Sequence, residues 1–204
     1  MINTYFIGGS PCGGKSTAAA VIAQKYNLYY FKVDDFLDKY MQMAVSNGSE
    51  ICSKLEKMTA DQIWMRDPHL QCQEEFIYYE EIFPFILDDL KQINHAKGII
   101  TEGTAYTPQL MQRISVPHDR YLSVTPTPEF QISHFRQRDF VPYILHDCTD
   151  KQTAFHKWMD RDILFAKEVQ KQCHLEGYVS FVNSGQKNVT EMVDMISEHF
   201  NLKP

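Results

Sequence analysis

The stretch that decides the fold is "IGGSPCGGKST", residues 7–17, which contains four of the nine glycines of the chain. It follows "TYFIGG", which has the pattern of a short buried strand, and leads into "STAAAVIAQKY", which is rich in helix-forming residues. Glycine backbone can turn successive N–H groups inward around an anion, and the N-terminus of the next helix adds partial positive charge. The stretch therefore predicts a strand, loop and helix that hold phosphate.

Residues 9–16 match the nucleotide-binding pattern G-x-x-x-x-G-K-[ST] without deviation. In this pattern Lys15 reaches the β- and γ-phosphates of ATP, and the Ser16 hydroxyl ligates Mg²⁺. Thr17 can add a hydroxyl to the α-phosphate, whereas Cys12 is expected to be a tolerated small residue. The predicted nucleotide-binding residues are Gly9, Ser10, Pro11, Cys12, Gly13, Gly14, Lys15, Ser16 and Thr17. The alternative is a chance glycine-rich turn.

Four more short apolar segments have strand patterns, and each is bounded by turn residues. They are "LYYFKVDD" at 28–35, "KGIITEG" at 97–103, "DRYLSVTPT" at 119–127 and "YVSFVNSG" at 178–185. Helical patterns lie between them, and Pro84 is expected to kink or split the one at 74–93. This alternation predicts a single α/β domain over residues 1–204, with a parallel sheet covered by helices on both faces.

Local signals mark the ends of three predicted helices. Thr127 followed by proline predicts the start of a helix over 127–140. Gly177 is expected to stop a long helix that begins near Thr153. The last helix is capped by Asn188 or by Thr190. These signals bound the elements between the strands.

Carboxylates stand at the predicted carboxyl ends of two strands, where the ligands of parallel sheets bind. The pair Asp34 and Asp35 ends the second strand, and Glu102 ends the third. Adjacent residues of a strand point in opposite directions, so one of the two faces the site. We favour Asp34 as the base for an acceptor hydroxyl, because it directly ends the strand. Asp35 either contacts the acceptor or caps the next helix. Glu102 binds Mg²⁺ through water, contacts the acceptor, or is a surface carboxylate.

Three arginines flank "VPYILHDCTDKQ", a predicted loop at 141–152. Phosphoryl transfer needs cations beside the moving phosphate, and a guanidinium offers a planar fork of donors. We assign catalytic roles to Arg136 and Arg161 and an acceptor contact to Arg138. Positions two apart on a helix cannot both face one site, so Arg136 and Arg138 compete for it. The alternative for each is a solvated surface arginine.

The region at about 36–96 is long and lacks a strand pattern. Within it, Arg66 contacts an anion or the substrate, or it forms a surface ion pair with Asp67. Four aromatic residues of this region are predicted to be core residues rather than ligand contacts: Tyr78, Tyr79, Phe83 and Phe85.

Net charge and cysteine content limit the classes of function. The formal net charge of −6 gives no electrostatic case for nucleic acid as the main partner. Five scattered cysteines without metal-ligand spacing indicate reduced thiols. The sequence shows no leader pattern after Met1 and no apolar run of membrane-spanning length. We therefore expect a cytoplasmic protein without a membrane partner.

Together these motifs resemble those of P-loop small-molecule kinases of the nucleoside and nucleotide kinase-like superfamily. The order of the motifs over nearly the whole chain is the same: the phosphate loop (residues 9–17), then "VDDF" at 33–36, "IITEG" at 99–103 and the arginine-flanked loop at 141–152. The resemblance implies a three-layer P-loop NTPase fold with a five-stranded parallel sheet in the order 2-3-1-4-5. It implies ATP and Mg²⁺ as ligands and an aspartate base on strand two. It also implies that "VNSGQKN" at 182–188 borders the adenine and that residues 141–152 form a lid.

The identity of the phosphate acceptor does not carry over from this resemblance. The helical insert at about 36–96 is longer than in a short shikimate-type kinase, and we expect it to bind the acceptor. The leading hypothesis is ATP-dependent transfer of the γ-phosphate to a hydroxyl of a small molecule. The alternatives are a nucleoside monophosphate kinase, a P-loop NTPase with a regulatory role, and a degenerate nucleotide-binding module. An intact Lys15 and Ser16 weigh against the last.

Overall fold

A five-stranded parallel sheet forms the centre of the computed structural model, which describes residues 3–203. The strands are β1 (Thr4–Gly9), β2 (Tyr29–Lys32), β3 (Ile99–Glu102), β4 (Tyr121–Pro126) and β5 (Val179–Asn183). Their order across the sheet is β2-β3-β1-β4-β5, and every neighbouring pair is parallel. Helices cover both faces. The predicted α/β class and the strand order 2-3-1-4-5 are confirmed.

Residues 3–203 also form ten α-helices and two short 3-10 turns, at Val33–Phe36 and His118–Arg120. The helices are α1 (Lys15–Tyr26), α2 (Leu37–Ser46), α3 (Glu50–Glu56), α4 (Ala60–Trp64), α5 (Pro68–Gln92), α6 (Pro108–Arg113), α7 (Pro128–Phe135), α8 (Val141–Ile144), α9 (Lys151–Glu176) and α10 (Val189–His199). Helices α2 to α5 all fall between β2 and β3.

β1 is the central strand because residues on both of its faces are apolar and buried. Phe6 packs into the core formed with α5 and α9, which also contains or contacts the four predicted core aromatics. Ile7 packs into a second core formed with α1 and α10. Full burial of such side chains contributes roughly 1.5–3 kcal/mol each. The carboxyl end of β1, from which the phosphate loop begins, is therefore fixed between two cores.

The three predicted helix ends are confirmed, although α7 is shorter than expected. The Thr127 side chain accepts a hydrogen bond from the Phe130 N–H, at 3.3 Å. Gly177 ends α9 in the left-handed conformation, with φ of +74°. Asn188 caps α10 through a capping box with Glu191. Because α7 ends at Phe135, the two arginines that follow lie in a turn and not on a helix.

Two expectations about local structure are wrong. β2 ends at Lys32, and the two aspartates lie in the following 3-10 turn instead of in the strand. Pro84, which was expected to kink or split its helix, does not split it, because α5 runs from Pro68 to Gln92. A proline inside a helix costs about 3 kcal/mol, but Phe83 and Ile86 on either side of it are buried in the core. Tertiary packing therefore outweighs the lost backbone hydrogen bond.

Two further findings concern the chain as a whole. All five cysteines are free, as predicted. In the described part of the chain, none of the helices combines the length and the apolar character needed to cross a membrane.

Candidate active site

The loop between β1 and α1 leaves the N-terminus of α1 open to a ligand. Gly14, which precedes α1, has φ of +94°, and no side chain caps the helix. Gly9 has φ of +120°, and a Cβ at this residue would lie 2.0 Å from the carbonyl oxygen of Val124. Both positions therefore require glycine. The first N–H groups of α1 form an anion-binding terminus that fits phosphate.

Two side-chain hydrogen bonds stabilise this loop. Lys15 is buried, and its Nζ donates to the carbonyl oxygen of Ser10 at 2.7 Å. Asn183, at the end of β5, donates from Nδ2 to the carbonyl oxygen of Gly13 at 3.1 Å. The role of Asn183 was not predicted from the sequence, because the strand that carries it is far from the loop in the chain. The loop is thus held in shape by its own lysine and by a neighbouring strand.

Glu102, the last residue of β3, is fully buried beside the loop. Its Oε1 accepts a hydrogen bond from the Tyr30 hydroxyl at 3.0 Å, whereas Oε2 has no hydrogen-bond partner among the described residues. Burial raises the pKa of Glu102, and the charge of Asp34 adds to this, while the charge of Lys15 and the hydrogen bond from Tyr30 lower it. The free oxygen is a buried anionic ligand position that a divalent cation would satisfy.

The Ser16 hydroxyl and the Glu102 carboxylate are therefore suited to the Mg²⁺ that accompanies ATP. No group of three His, Cys, Asp or Glu side chains within residues 3–203 is arranged to hold a metal ion by itself. This is compatible with Mg²⁺ in nucleotide sites, where one or two protein ligands are completed by phosphate oxygens and water. The residues present fit that kind of site.

Asp35 lies in the 3-10 turn after β2 and forms an ion pair with Lys32, with Oδ1 and Nζ 2.9 Å apart. It does not cap α2, because Phe36 precedes that helix and no side-chain hydrogen bond is made there. The alternative of Asp35 as a helix cap is therefore wrong.

Asp34 is exposed, and its charge affects the pKa of one group in β3 and of one in α5. Burial and then the charges of Glu75 and Asp34 raise the pKa of Tyr79 in α5. Asp34 likewise adds to the raised pKa of Glu102. Such effects fall off with distance. Lys32 of β2 is opposite Glu102 of β3, so Asp34, two residues beyond Lys32, lies at the carboxyl edge of the sheet.

Arg136 and Arg138 lie past the end of α7 and have different surroundings. Arg138 lines a cavity together with the phosphate loop. Burial raises the pKa of Cys12 in that loop, and the charge of Arg138 is the largest effect that lowers it. The Arg136 guanidinium lies 6.0 Å from the ring centroid of Phe155. The structure thus brings Arg138 to the loop and places Arg136, expected to be catalytic, elsewhere, because the chain turns between them.

Arg161 is largely buried in α9 within a group of acidic side chains. Its Nε lies 2.6 Å from Oδ1 of Asp162, and a terminal nitrogen lies 3.1 Å from Oε2 of Glu75 in α5. Its guanidinium lies over the ring of Trp64, 5.4 Å from the centroid. The distances are those of ion pairs, but the angles do not meet hydrogen-bond geometry. Oε2 of Glu75 and both carboxylate oxygens of Asp162 have no hydrogen-bond partner among the described residues.

This acidic group lies near the phosphate loop. Burial raises the pKa of Asp162, Arg161 and Lys15 lower it, and the charge of Glu75 raises it further. Neither carboxylate was predicted from the sequence. The signal that could have revealed Asp162 is its spacing, because it shares one face of α9 with the buried residues Trp158, Met159, Phe165, Ala166 and Val169.

Arg66 forms an ion pair with Glu74, which also pairs with Lys54. Asp67, the partner expected in the alternative interpretation, instead caps α5 by accepting hydrogen bonds from the N–H groups of His69 and Leu70. That alternative is therefore wrong in its partner. Its premise of an ion pair holds, with a carboxylate about two turns into α5.

A cavity of about 220 Å³ adjoins the phosphate loop between α7 and the start of α10. Phe130 and His134 lie on one side, with ring centroids 3.9 Å apart. Asn183, Lys187 and Met192 come from the end of β5 and the segment that follows. Aromatic and apolar walls with a few polar groups suit the base and ribose of a nucleotide. The segment at 182–188 thus contributes to a cavity beside the loop.

Sequence comparison finds no protein-family model and no curated protein that matches this chain. Solved structures match along nearly its whole length. The chain is similar to shikimate kinase from Bacteroides thetaiotaomicron, with 15% identity, a TM-score of 0.52 and coverage of 98% of this chain and 99% of that one. It is similar to TT1252 from Thermus thermophilus, with 13% identity, a TM-score of 0.55 and coverage of 99% and 98%.

A gluconokinase from Sinorhizobium meliloti 1021 matches with 11% identity, a TM-score of 0.50 and coverage of 98% of this chain and 91% of that one. Identities this low establish a shared fold. The chain has the three-layer fold of P-loop kinases, with its phosphate loop at the carboxyl edge of the sheet.

Proposed function

We propose that this protein is an ATP-dependent phosphotransferase that moves the γ-phosphate of ATP to a hydroxyl group of a small molecule. The observation that carries the proposal is that Lys15, Glu102 and Asp34 all lie at the carboxyl edge of the sheet, at or after the ends of the adjacent strands β1, β3 and β2. A phosphate-binding cation, a metal-binding carboxylate and an exposed base are the parts that phosphoryl transfer needs. Two proteins of similar fold, named as shikimate kinase and gluconokinase, support the same class of reaction.

In this proposal residues 9–17 bind the phosphates of ATP through backbone N–H groups and the Lys15 ammonium. Ser16 and Glu102 hold Mg²⁺, and the cavity beside the loop receives the base and ribose. When bound, the ATP–Mg²⁺ complex supplies the phosphoryl group that is transferred. The buried, hydrogen-bonded positions of Lys15 and Glu102 fix their charges before the nucleotide arrives, which is what preorganised stabilisation requires.

Asp34 acts as the base in the proposed step. It accepts the proton of the acceptor hydroxyl while the hydroxyl oxygen bonds to the γ-phosphorus and the β–γ bridging oxygen leaves with ADP. The electron pair of the broken bond remains on ADP, and Asp34 later releases the proton to water. Lys15 and Arg138 offset the negative charge of the transferring group. Arg138 replaces Arg136 in this role because it lines the loop cavity.

We also propose that the segment at 141–152 is a lid that closes over the site. Val141, Leu145 and Cys148 pack into an apolar cluster that includes Trp158. The Thr149 N–H donates to Oδ1 of Asp61 in α4, at 2.9 Å. The segment therefore bridges from α9 to the helical insert, and its closure would exclude water from the transfer step.

The nucleoside monophosphate kinase alternative requires free cations for an anionic acceptor. The two arginines on the α5 side are each paired with acidic residues, Arg66 with Glu74 and Arg161 with both Glu75 and Asp162. These contacts favour an acceptor that carries no phosphate.

The proposal is tested by measuring ATP turnover with and without a panel of small hydroxyl compounds. We expect little hydrolysis alone and stimulation by an acceptor, because the lid excludes water until the acceptor completes the site. Lys15→Ala should lower turnover about 10²–10³-fold while the protein stays folded. Lys25→Ala is the matched control, because that lysine lies on the far end of the same helix in an exposed ion pair with Asp194. Near-normal turnover by folded Lys15→Ala would refute the proposal.

A further inference from the structure

We infer that the phosphate acceptor is a hydroxyl compound that also carries a positively charged amine and no acidic group. This inference rests on the proposed function and adds the chemical class of the acceptor. It follows from the charges, the unpaired oxygens and the aromatic rings on the α5 and α9 side of the phosphate loop.

A continuous series of polar contacts joins this region to the reacting groups. The Tyr79 hydroxyl donates to Oε1 of Glu75 at 3.1 Å, and Oε2 of Glu75 lies 3.1 Å from Arg161. Arg161 in turn lies 2.6 Å from Asp162. The charge of Lys15 acts on Asp162 at one end of the series, and that of Asp34 acts on Tyr79 at the other. Packing places this region beside the reacting groups, because Cys12 of the phosphate loop contacts the cluster of Trp158 and Tyr79 shares a core with Val33, next to Asp34.

The charges of this series do not balance. Two carboxylates, of Glu75 and Asp162, face the single guanidinium of Arg161. The neighbouring cations do not compensate them, because Arg66 and Lys54 both pair with Glu74. Lys15 lies in the phosphate loop and has the buried Glu102 as its counterpart. This buried group therefore has more carboxylates than cations, and it favours a cation over a carboxylate or phosphate.

Two buried carboxylates have oxygens that accept no hydrogen bond, and such oxygens favour hydrogen-bond donors on the ligand. Glu75 is 10% exposed in its side chain and Asp162 is fully buried, yet both have carboxylate oxygens without a hydrogen-bond partner among the described residues. Buried polar atoms of this kind are rare unless a ligand or water completes them. An ammonium offers three donors and no acceptor, whereas a carboxylate of the ligand would offer acceptors alone. Asp162 contributes mainly through its charge, because Arg161 lies between it and the surface.

Two tryptophans complete the argument. Trp64 and Trp158 have ring centroids 4.6 Å apart, and Trp64 already contacts the guanidinium of Arg161. Aromatic faces stabilise cations, which adds to the preference for an amine. Nε1 of Trp158 is a buried donor without a partner among the described residues, and a hydroxyl oxygen of the ligand would satisfy it.

The same tryptophans provide the assay, because the chain contains only these two. Their fluorescence is titrated, in the presence of ADP and Mg²⁺, with D-glucosamine, N-acetyl-D-glucosamine and D-glucuronate. The three sugars share a ring and differ in bearing an ammonium, a neutral amide or a carboxylate. We expect glucosamine to bind at least about tenfold more tightly than glucuronate, with the amide between them. Equal responses to all three, including no response to any, or tighter binding of glucuronate would overturn the inference.

A pair of isosteric substitutions checks the source of the preference. Glu75→Gln should reduce the ratio of glucosamine to glucuronate affinity by about tenfold, because it removes one negative charge beside the ligand. Glu80→Gln is the matched control, because Glu80 lies on the same helix in an exposed ion pair with Arg113. An unchanged ratio in folded Glu75→Gln would overturn the inference. If Glu75→Gln does not fold, the ranking in the wild-type protein decides.

Nucleotide binding is measured separately, as the thermal stabilisation by ADP and Mg²⁺ without sugar. Loss of this stabilisation in Lys15→Ala is expected from the proposed function. Its absence in the wild-type protein would refute the proposed function itself. Normal nucleotide binding together with a reversed ranking of the sugars would overturn the inference about the acceptor alone.

Discussion

The hydroxyl of Tyr30 in β2 donates a hydrogen bond of 3.0 Å to Oε1 of Glu102 in β3. In the register of these parallel strands Tyr30 is opposite Ile100, so its side chain reaches two residues along β3. The bond fixes one oxygen of a fully buried carboxylate and leaves Oε2 without a partner among the described residues. Tyr30 is thus a positioning residue for the proposed metal ligand.

Removal of the Tyr30 hydroxyl should weaken the binding of the Mg²⁺ that accompanies the nucleotide. A hydrogen bond to a charged group contributes about 1.5–3 kcal/mol, so Tyr30→Phe should raise the Mg²⁺ concentration for half-maximal ADP binding by about 10-fold or more. Calorimetric titration of ADP at several Mg²⁺ concentrations measures this. Tyr29→Phe is the control, because its side chain is exposed at the edge of the sheet. The same Mg²⁺ dependence in both variants would show that Tyr30 does not orient a metal ligand.

Substitution of Asp34 and substitution of Asp35 should have different effects on the rate of transfer. Asp34→Asn should lower the rate of transfer by about 10²–10⁴-fold while ATP still binds, because an amide cannot accept the hydroxyl proton. Asp35→Asn removes an exposed ion pair with Lys32, which is worth about 0–1 kcal/mol, and should leave the rate nearly unchanged. Single-turnover kinetics with saturating ATP distinguishes the two. Comparable losses in both variants would contradict the assignment of Asp34 as the base.

The buried Asp162 should make stability depend on pH. Burial raises its pKa above the ordinary 3.8, and Glu75 adds to this while Arg161 and Lys15 oppose it. A carboxyl with a raised folded-state pKa binds its proton more tightly in the folded protein. Its contribution to stability is therefore complete below about pH 3.8 and is lost as the pH rises through the folded-state value.

This dependence is measured by comparing urea unfolding of the wild-type protein and Asp162→Asn at several pH values. The free energy of unfolding of the wild type minus that of the variant should fall as the pH rises from about 4, by at most about 1.4 kcal/mol per pH unit. Asp160→Asn, which changes an exposed neighbour in α9, is the control variant. A flat or rising difference for Asp162→Asn would mean that the carboxyl ionises as readily in the folded chain as in the unfolded one.

The proposed lid should respond to its contact with α4. Asp61→Ala removes the acceptor of the Thr149 N–H, so amide exchange in residues 141–152 should become faster. A non-hydrolysable ATP analogue with Mg²⁺ should slow exchange in this segment of the wild-type protein. Hydrogen exchange followed by mass spectrometry measures both effects. Asp88→Ala, which affects only an exposed ion pair with Lys91, is the control. Equal amide exchange with and without the nucleotide analogue would show that this segment is not a lid.

Features that depend on neighbours in the chain could be predicted from the sequence, and features that depend on distant residues could not. Residues 9–17 form a contiguous motif, and Thr127, Gly177 and Asn188 each mark a helix end by local chemistry. The strand order followed from the resemblance to known kinases. These elements account for the sheet and the phosphate loop.

The acidic group around Arg161 could not be predicted because its members meet only after folding. Glu75 comes from α5 and Asp162 from α9, and each looks like an ordinary charge on the surface of a helix. The split expected at Pro84 was wrong for a related reason, since the packing that keeps α5 in one piece involves the whole core. The turn at Asp34 and Asp35 was missed because an extended apolar run does not show where its last residues leave the sheet.

The central place of β1 has a consequence for the synthesis of the chain. β1 leaves the ribosome first, but Thr4 pairs with Ile99 and Phe6 with Tyr121, so both of its partners are made much later. Until β4 has been made, one hydrogen-bonding edge of β1 stays open, and Gly9 lacks the backbone of Val124 against which it packs. We therefore expect nascent chains that stop before residue 121 to bind no nucleotide and to depend on chaperones, which arrested ribosome complexes can test. The first motif to be translated is among the last to become functional.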